Sequence, residues 1–236
     1  MHDIAAKLCK ASSLAVLTGA GVSAESNIPT FRGKDGLWKQ RRPEDLATPQ
    51  AFARDPKTVW EWYDMRRQRV AQAQPNPGHY ALARLEERTP NFTLITQNVD
   101  DLHERAGSRR ILKVHGDLFR VRCTGCGKEQ RDKRVPLPEI PPHCECGSLQ
   151  RPGVVWFGEA LPQDVWRAAE QAARTADVFL VVGTSAVVYP AAGLVELAKS
   201  CGATLIEINL EETPILHYAD ASLQGKSGDL LPQLIA

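Results

Sequence analysis

The amino-acid sequence predicts an α/β fold: a doubly wound parallel sheet with a smaller lobe formed by two insertions. Three observations carry that expectation. Five short, continuously apolar runs recur along the chain, a glycine-rich turn closes the first of them, and four paired cysteines interrupt the alternation. The runs are Leu14–Leu17, Phe92–Thr96, Ile111–Val114, Val178–Val182 and Thr204–Ile208. Short runs without polar alternation fit strands buried on both faces, as in a parallel sheet. Helical patterns lie between them at His79–Glu87, Gln163–Thr175 and Ala191–Ser200. Strand alternating with helix implies a parallel sheet with helices covering its faces.

Two stretches depart from this rhythm. Residues 34 to 77 hold no buried strand and turn helical after Asp55-Pro56, where an N-cap Asp followed by Pro is a start signal. Residues 119 to 152 hold all four paired cysteines, with Pro136, Pro138, Pro141 and Pro142 between the pairs. The chain therefore divides, within one domain over 1–236, into a large lobe (1–37, 78–118 and 153–236) and a small lobe. The small lobe comprises a helical part, 38–77, and a metal-binding part, 119–152. A cleft between lobes is a favoured place for a ligand.

Charge and hydropathy exclude several classes. Lys and Arg number 29 against 28 Asp and Glu, a net +1, so no overall field draws the chain to nucleic acid or an anionic membrane. No apolar run reaches the roughly 18 residues of a membrane span. The start, Met1-His2-Asp3-Ile4, lacks the apolar core of a signal peptide. The expectation is a cytoplasmic globular protein.

The cysteines are spaced as metal ligands. Cys123-x2-Cys126 and Cys144-x-Cys146 supply four thiolates, enough to close a tetrahedral zinc shell. A closed shell leaves no position for water, so one zinc is expected in a structural role. Disulfides are not expected in a reducing compartment. Cys9 and Cys201 stand alone and are expected as small buried apolar residues.

Polar residues cluster where the strands end. The first run leads into Gly19-Ala20-Gly21-Val22-Ser23-Ala24, a G-x-G-x-x-A turn. Its glycines permit a tight turn and close approach of backbone to a pyrophosphate, whose charge a helix start stabilises. That pattern is Rossmann-like, but no strand ending in an acid follows about 20 residues later, as a dehydrogenase would require. A bent polar loop, Ser26 to Gly33, follows instead. Gln97-Asn98-Val99-Asp100, Val114-His115-Gly116-Asp117, Gly183-Thr184-Ser185 and Asn209-Leu210-Glu211 also follow strands. In open α/β sheets ligands bind beyond the carboxyl ends of strands. His115 is either a general base or a hydrogen-bonded strand-end histidine.

These segments, with Pro29-Thr30-Phe31-Arg32, Lys113-Val114-His115-Gly116, the four cysteines and Val155-Trp156-Phe157-Gly158-Glu159, resemble those of sirtuins in order and coverage. The resemblance implies an NAD-dependent protein-lysine deacylase. NAD is then expected along Gly19, Ala20, Gly21, Ser23, Ala24, Glu25, Phe31, Arg32 and Trp38, with Gln97, Asn98 and Asp100 around the nicotinamide ribose. Gly183, Thr184, Ser185, Asn209, Leu210, Glu211 and Ser227 are expected to complete the cofactor site. His115, Asn98 and Asp100 are the implied catalytic residues. On that resemblance the acyl oxygen would displace nicotinamide to give an alkylimidate, and His115 would act as general base on a ribose hydroxyl that attacks it, yielding 2′-O-acyl-ADP-ribose. Val155, Trp156, Phe157 and Gly158 resemble the segment that pairs with an extended acyl-lysine peptide. A monomer is expected.

In Trp60-Glu61-Trp62-Tyr63-Asp64-Met65-Arg66, Tyr63 and Arg66 are three apart and share a helix face. A phenol hydroxyl beside a guanidinium can receive a carboxylate, although Arg67 and Arg69 also suit a solvated basic face. With Ala47 in Asp45-Leu46-Ala47-Thr48-Pro49, the pair resembles the sirtuin class that removes succinyl and malonyl groups, where a small residue leaves room for the acyl chain. The rival activities are mono-ADP-ribosyl transfer on the same scaffold and NAD-dependent dehydrogenation.

Overall fold

Each of the five apolar runs forms a strand in a computed structural model that describes residues 1–31 and 42–235. Strands β1 (Ser13–Thr18), β2 (Asn91–Thr96) and β3 (Ile111–Lys113) form one half of a parallel sheet. The chain then builds a separate antiparallel sheet from β4 (Gly116–Cys123), β5 (Glu129–Arg131) and β6 (Gln150–Val154), in the order β5-β4-β6. It returns through β7 (Val178–Val182), β8 (Thr204–Asn209) and β9 (Ala221–Gln224) to complete a six-stranded sheet, β3-β2-β1-β7-β8-β9. This is the doubly wound order, and its direction reverses between β1 and β7. Leu14 lies in register with both Phe92 and Val178 across that point.

Alternation inside the apolar runs explains their continuity. Leu14 and Val16 point into one core with Leu94, Leu180 and Ile206, whereas Ala15 and Leu17 point into another with Ile95, Val181 and Leu205. The first core is closed by α1 (His2–Lys10), α6 (Pro77–Arg88) and, at the C-terminal end, α10 (Ser227–Leu234). The second is closed by α8 (Gln163–Thr175) and α9 (Gly193–Ser200). A third core joins α4 (Pro49–Arg54) and α5 (Pro56–Gln72) to the small sheet through Phe52, Trp60, Tyr63, Val121 and Trp156.

Helix α5 begins as the sequence predicts: the Asp55 carboxylate accepts from the Thr58 amide at 3.0 Å. It is bound to the small sheet at two points. The Trp60 indole donates to the Gln150 carbonyl at 2.7 Å. Arg67, with no exposed side-chain surface, donates to the carbonyls of Leu118 (3.0 Å), Asp132 (2.7 Å) and Arg134 (3.0 Å). Arg67 is therefore a buried tie between helix and sheet and not part of a solvated basic face. Burying a guanidinium is tolerable where its donors find partners; here both terminal nitrogens do, while Nε has none among the described residues.

Other expectations need correction. Cys9 and Cys201 are exposed: the buried stripe of α1 is Ile4 and Leu8, and Cys201 caps α9 at the surface. Helix α9 starts at Gly193 because residues 189 to 192 make turns, with the Gly193 amide bonded to the Pro190 carbonyl at 2.9 Å. Strand β9 has no apolar run to announce it, since it lies at a sheet edge with alternate residues exposed.

Candidate active site

A cavity of about 1430 Å³ opens over the C-terminal ends of the large sheet. Its floor is the turn from β1 into α2 (Ala20–Ala24), pressed against the end of β7. The Gly21 amide donates to the Gly183 carbonyl at 2.7 Å. A Cβ at Gly19 would lie 2.6 Å from the Thr184 Cβ, and one at Gly21 would lie 2.7 Å from the Gly183 oxygen. Both glycines are thus required by the close approach of two strand ends at the topological switch point, where a dinucleotide binds in this sheet order.

Most of the expected residues line this cavity. Gly19, Ala20, Gly21, Ala24, Glu25, Phe31, Gln97, Asn98, His115, Gly183, Thr184, Ser185, Asn209, Leu210 and Glu211 do so. So do Ala47, Tyr63, Arg66 and Val155 through Gly158. Ser23, Asp100 and Ser227 are buried behind the lining. Arg32 and Trp38 lie outside the described residues.

The three buried side chains support the residues in front of them. Asn98 donates through Nδ2 to the Gly19 carbonyl at 3.0 Å and to Ser23 Oγ at 3.3 Å. Ser23 in turn donates to Asp100 at 3.0 Å, and the other Asp100 oxygen accepts the Leu102 amide at 3.1 Å. Ser227 Oγ and the Gly228 amide both donate to Glu25, at 2.9 and 3.0 Å, tying α10 to the first turn. Thr184 is bridged by Gln97 Nε2 at 2.9 Å and its carbonyl by Asn209 Nδ2 at 3.0 Å.

Sequence reasoning missed the next layer, His79 and Asn76. The Asn76 amide donates to His79 Nδ1 at 3.3 Å, while His79 Nε2 faces Ser23 Oγ at 3.5 Å. Burial pushes the His79 pKa down to about 4, so the ring stays neutral. The Asn76-Pro77 helix start with a polar side chain at the third helical position was the available signal.

His115 follows β3 and its Nδ1 lies 3.1 Å from the Gln97 carbonyl. A carbonyl only accepts, so Nδ1 carries the proton and Nε2 is left as the base. Burial lowers the His115 pKa from its ordinary value, partly offset by the Gln97 carbonyl. The neutral, proton-accepting ring is therefore the favoured form. The His115 carbonyl also accepts the Val155 amide at 2.9 Å, and the Ala47 carbonyl accepts the Phe157 amide at 2.9 Å. The Val155–Gly158 segment is thus fixed between the histidine and the helical lobe.

At the other wall, the Trp156 indole donates to the Tyr63 oxygen at 3.0 Å. The Tyr63 hydroxyl keeps its own proton to donate, and burial pushes its pKa up to about 12. The Arg66 guanidinium sits 4.8 Å from the ring centres of both Phe31 and Trp62 and 5.8 Å from that of Tyr63. Half-buried and facing the cavity, it forms no ion pair among the described residues.

The four paired cysteines converge in the small lobe, their sulfurs all within 4.8 Å of one another. Cys123 and Cys146 are 3.4 Å apart, and Cys126 and Cys144 are 3.8 Å apart. Four sulfurs about 2.3 Å from a tetrahedral zinc are about 3.8 Å from one another, so the cluster fits that ion. Amides of Gly125 and Cys126 both point to Cys123 Sγ at 3.4 Å, as suits a thiolate. Gly127 and Gly147, with φ of 73° and 85°, turn the chain after each cysteine pair.

A switch-point crevice with a strand-end base, beside a lobe built around four thiolates, defines a dinucleotide-using enzyme with a structural zinc. Residues 19–190 match the model of the Sir2 family. The NAD-dependent protein deacylase of Aquifex aeolicus is 60% identical over 216 residues, covering 91% of this chain and 90% of the relative. NAD-dependent protein deacylase 1 of Archaeoglobus fulgidus is 55% identical, covering 97% and 94%. A crystal structure of a Sir2 homologue with NAD superimposes with a TM-score of 0.93 at 53% identity, covering 100% of this chain and 92% of that one. A Sir2–p53 peptide–NAD⁺ complex does so with a TM-score of 0.90 at 33% identity, covering 100% and 97%. The chain belongs to the Sir2 family.

Proposed function

We propose that this cleft removes acyl groups from protein lysines at the expense of NAD, and that succinyl and malonyl groups are accepted alongside acetyl. The observation that carries the acyl range is Arg66: a cavity-facing guanidinium held among aromatic rings, with no ion pair among the described residues, beside a tyrosine hydroxyl with a proton to give. A carboxylate at the end of an acyl chain satisfies both, and such charge-assisted pairs are the strong ones. Ala47, small and cavity-lining, leaves space for that chain.

NAD, when bound, supplies a nicotinamide leaving group and ribose hydroxyls that accept the acyl group. Its pyrophosphate suits the Gly19–Gly21 turn, with Thr184, Ser185, Asn209 and Glu211 toward the adenosine half and Gln97, Asn98 and Asp100 toward the other. His115 Nε2 takes the proton of a ribose hydroxyl. Phe31 and the apolar wall exclude water from the reacting centre. Val155 through Gly158 pairs with the backbone of an extended substrate peptide. Enforced proximity matters because an amide oxygen is a poor nucleophile. Water is kept out until nicotinamide has left and the ribose hydroxyl has attacked; one water is then consumed as the lysine nitrogen departs, so the products are the free lysine, nicotinamide and 2′-O-acyl-ADP-ribose.

In this reading the large lobe spans 1–37, 78–118 and 153–236 and the small lobe spans 38–77 and 119–152. The protein acts as a cytoplasmic monomer. No helix of the described residues is long and apolar enough to cross a membrane.

Arg66→Met keeps much of the side-chain volume and removes the charge, while Tyr63→Phe removes only the hydroxyl. Losing a charge-assisted hydrogen bond of about 1.5–3 kcal/mol lowers kcat/KM on a succinyl-lysine peptide by about tenfold to a hundredfold. An acetyl-lysine peptide should be affected little. Equal loss on both peptides would mean that the helix is structural, and no loss on either would remove the desuccinylase reading.

A further inference from the structure

The middle of β8 carries a carboxyl group with no part in the chemistry above. Glu207 is 1% exposed and lies in register with Val181 on one side and Ser222 on the other. Its oxygens accept hydrogen bonds from the hydroxyls of Thr213 and, at 3.3 Å, Ser222. An acidic side chain inside a sheet is costly unless its hydrogen bonds are worth keeping. Here one of them reaches out of the sheet. Thr213 ends the loop 210–213, and its hydroxyl also caps the 3₁₀ helix Pro214–Tyr218 by accepting the Ile215 amide at 3.4 Å.

The same loop is held at its start by Asn209, whose Oδ1 accepts the Leu210 amide at 3.0 Å while its Nδ2 reaches the Thr184 carbonyl. Gln224 Nε2 donates to the Leu210 carbonyl at 3.2 Å. Between these ties the side chains of Glu211 and Glu212 stand exposed at the cavity wall. This wall is at the far end from His115: strands β3 and β8 are four strand spacings apart, about 19 Å.

We propose that Glu207 is a positioning residue for the adenosine half of NAD, acting through Thr213 to fix the wall formed by residues 210–213. The inference rests on the reading that this end of the cleft holds adenosine. It predicts an effect confined to that half of the cofactor. Glu207→Gln exchanges one acceptor oxygen for a donor, and Thr213→Val removes the hydroxyl at nearly constant volume.

The test is calorimetric titration of ADP-ribose into the zinc-loaded full chain. Each variant should weaken ADP-ribose about two- to tenfold, the loss of one hydrogen bond. The double variant Glu207→Gln/Thr213→Val should be no weaker than either alone, and Thr213→Ser should bind like the parent. The KM for NAD should rise in step, while kcat at saturating NAD and the KM for acyl peptide stay unchanged. If Glu207→Gln does not fold, Thr213→Val still decides the matter. A folded Thr213→Val chain with unaltered ADP-ribose affinity, or one that loses peptide affinity equally, would overturn the proposal. A parent chain that does not bind ADP-ribose would overturn the cofactor reading, and the tether with it.

Discussion

His115 illustrates how one side chain is prepared by its surroundings. The Gln97 carbonyl at 3.1 Å fixes which nitrogen is free, and burial lowers the pKa so that the base form is present near neutrality. His115→Ala should therefore reduce deacylation by about 10²–10⁴-fold, the usual worth of a positioned base, with ADP-ribose binding retained. Mass spectrometry of the peptide measures it, and near-normal turnover would remove the assignment. The pH profile has a definite sign. A base works above its pKa, so a lowered pKa carries activity to lower pH, and the acid limb of kcat/KM should fall below about 6.5, the ordinary histidine value. An acid limb above that would contradict the buried, neutral ring. At this scale the sequence is informative where spacing fixes proximity, as for the four cysteines and for Tyr63 and Arg66, which line one cavity. It is silent on the Trp156–Tyr63 bond, which joins residues 93 apart in the chain.

The elements show where local pattern suffices and where tertiary contact decides. Four of the strands were legible because both their faces are apolar, whereas the run at Ile111 gives the short, half-buried edge strand β3; α5 was legible because its Asp-Pro start is a local signal. Strands β4 to β6 were not legible: β4 and β5 carry exposed arginines, and their order depends on the cysteine cluster that closes the lobe. Two predictions belong here. Arg67→Met leaves the buried carbonyls of Leu118 and Asp132 and the part-buried carbonyl of Arg134 without this donor, which should cost about 3 kcal/mol and lower the melting temperature by roughly 6–12 °C. An unchanged melting curve would mean that α5 is held by packing alone. Cys144→Ser should lower zinc content and thermal stability together, since a structural site contributes its binding energy to folding. A metal-free variant of full stability and activity would contradict the structural role.

At the scale of the whole molecule, the cleft joins parts that are distant in sequence: the Gly19–Gly21 turn near the start, His115 in the middle, Val155 to Gly158 after the cysteine cluster and Asn209 to Thr213 near the end. Strand-end loops converge because the sheet is parallel and doubly wound, and the second lobe places Ala47, Tyr63 and Arg66 on the same cavity. The large sheet's strand order could not be read from the sequence, since β1 pairs on one side with β2, the next strand, and on the other with β7, which follows only after the whole small sheet. The measurement that tests the account most directly is a product balance on acetyl-, succinyl- and malonyl-lysine peptides incubated with NAD. Deacylated peptide, nicotinamide and O-acyl-ADP-ribose should appear in equal amounts from all three, with none formed when NAD is omitted. Transfer of ADP-ribose label to protein, or formation of NADH, without deacylated peptide would contradict it.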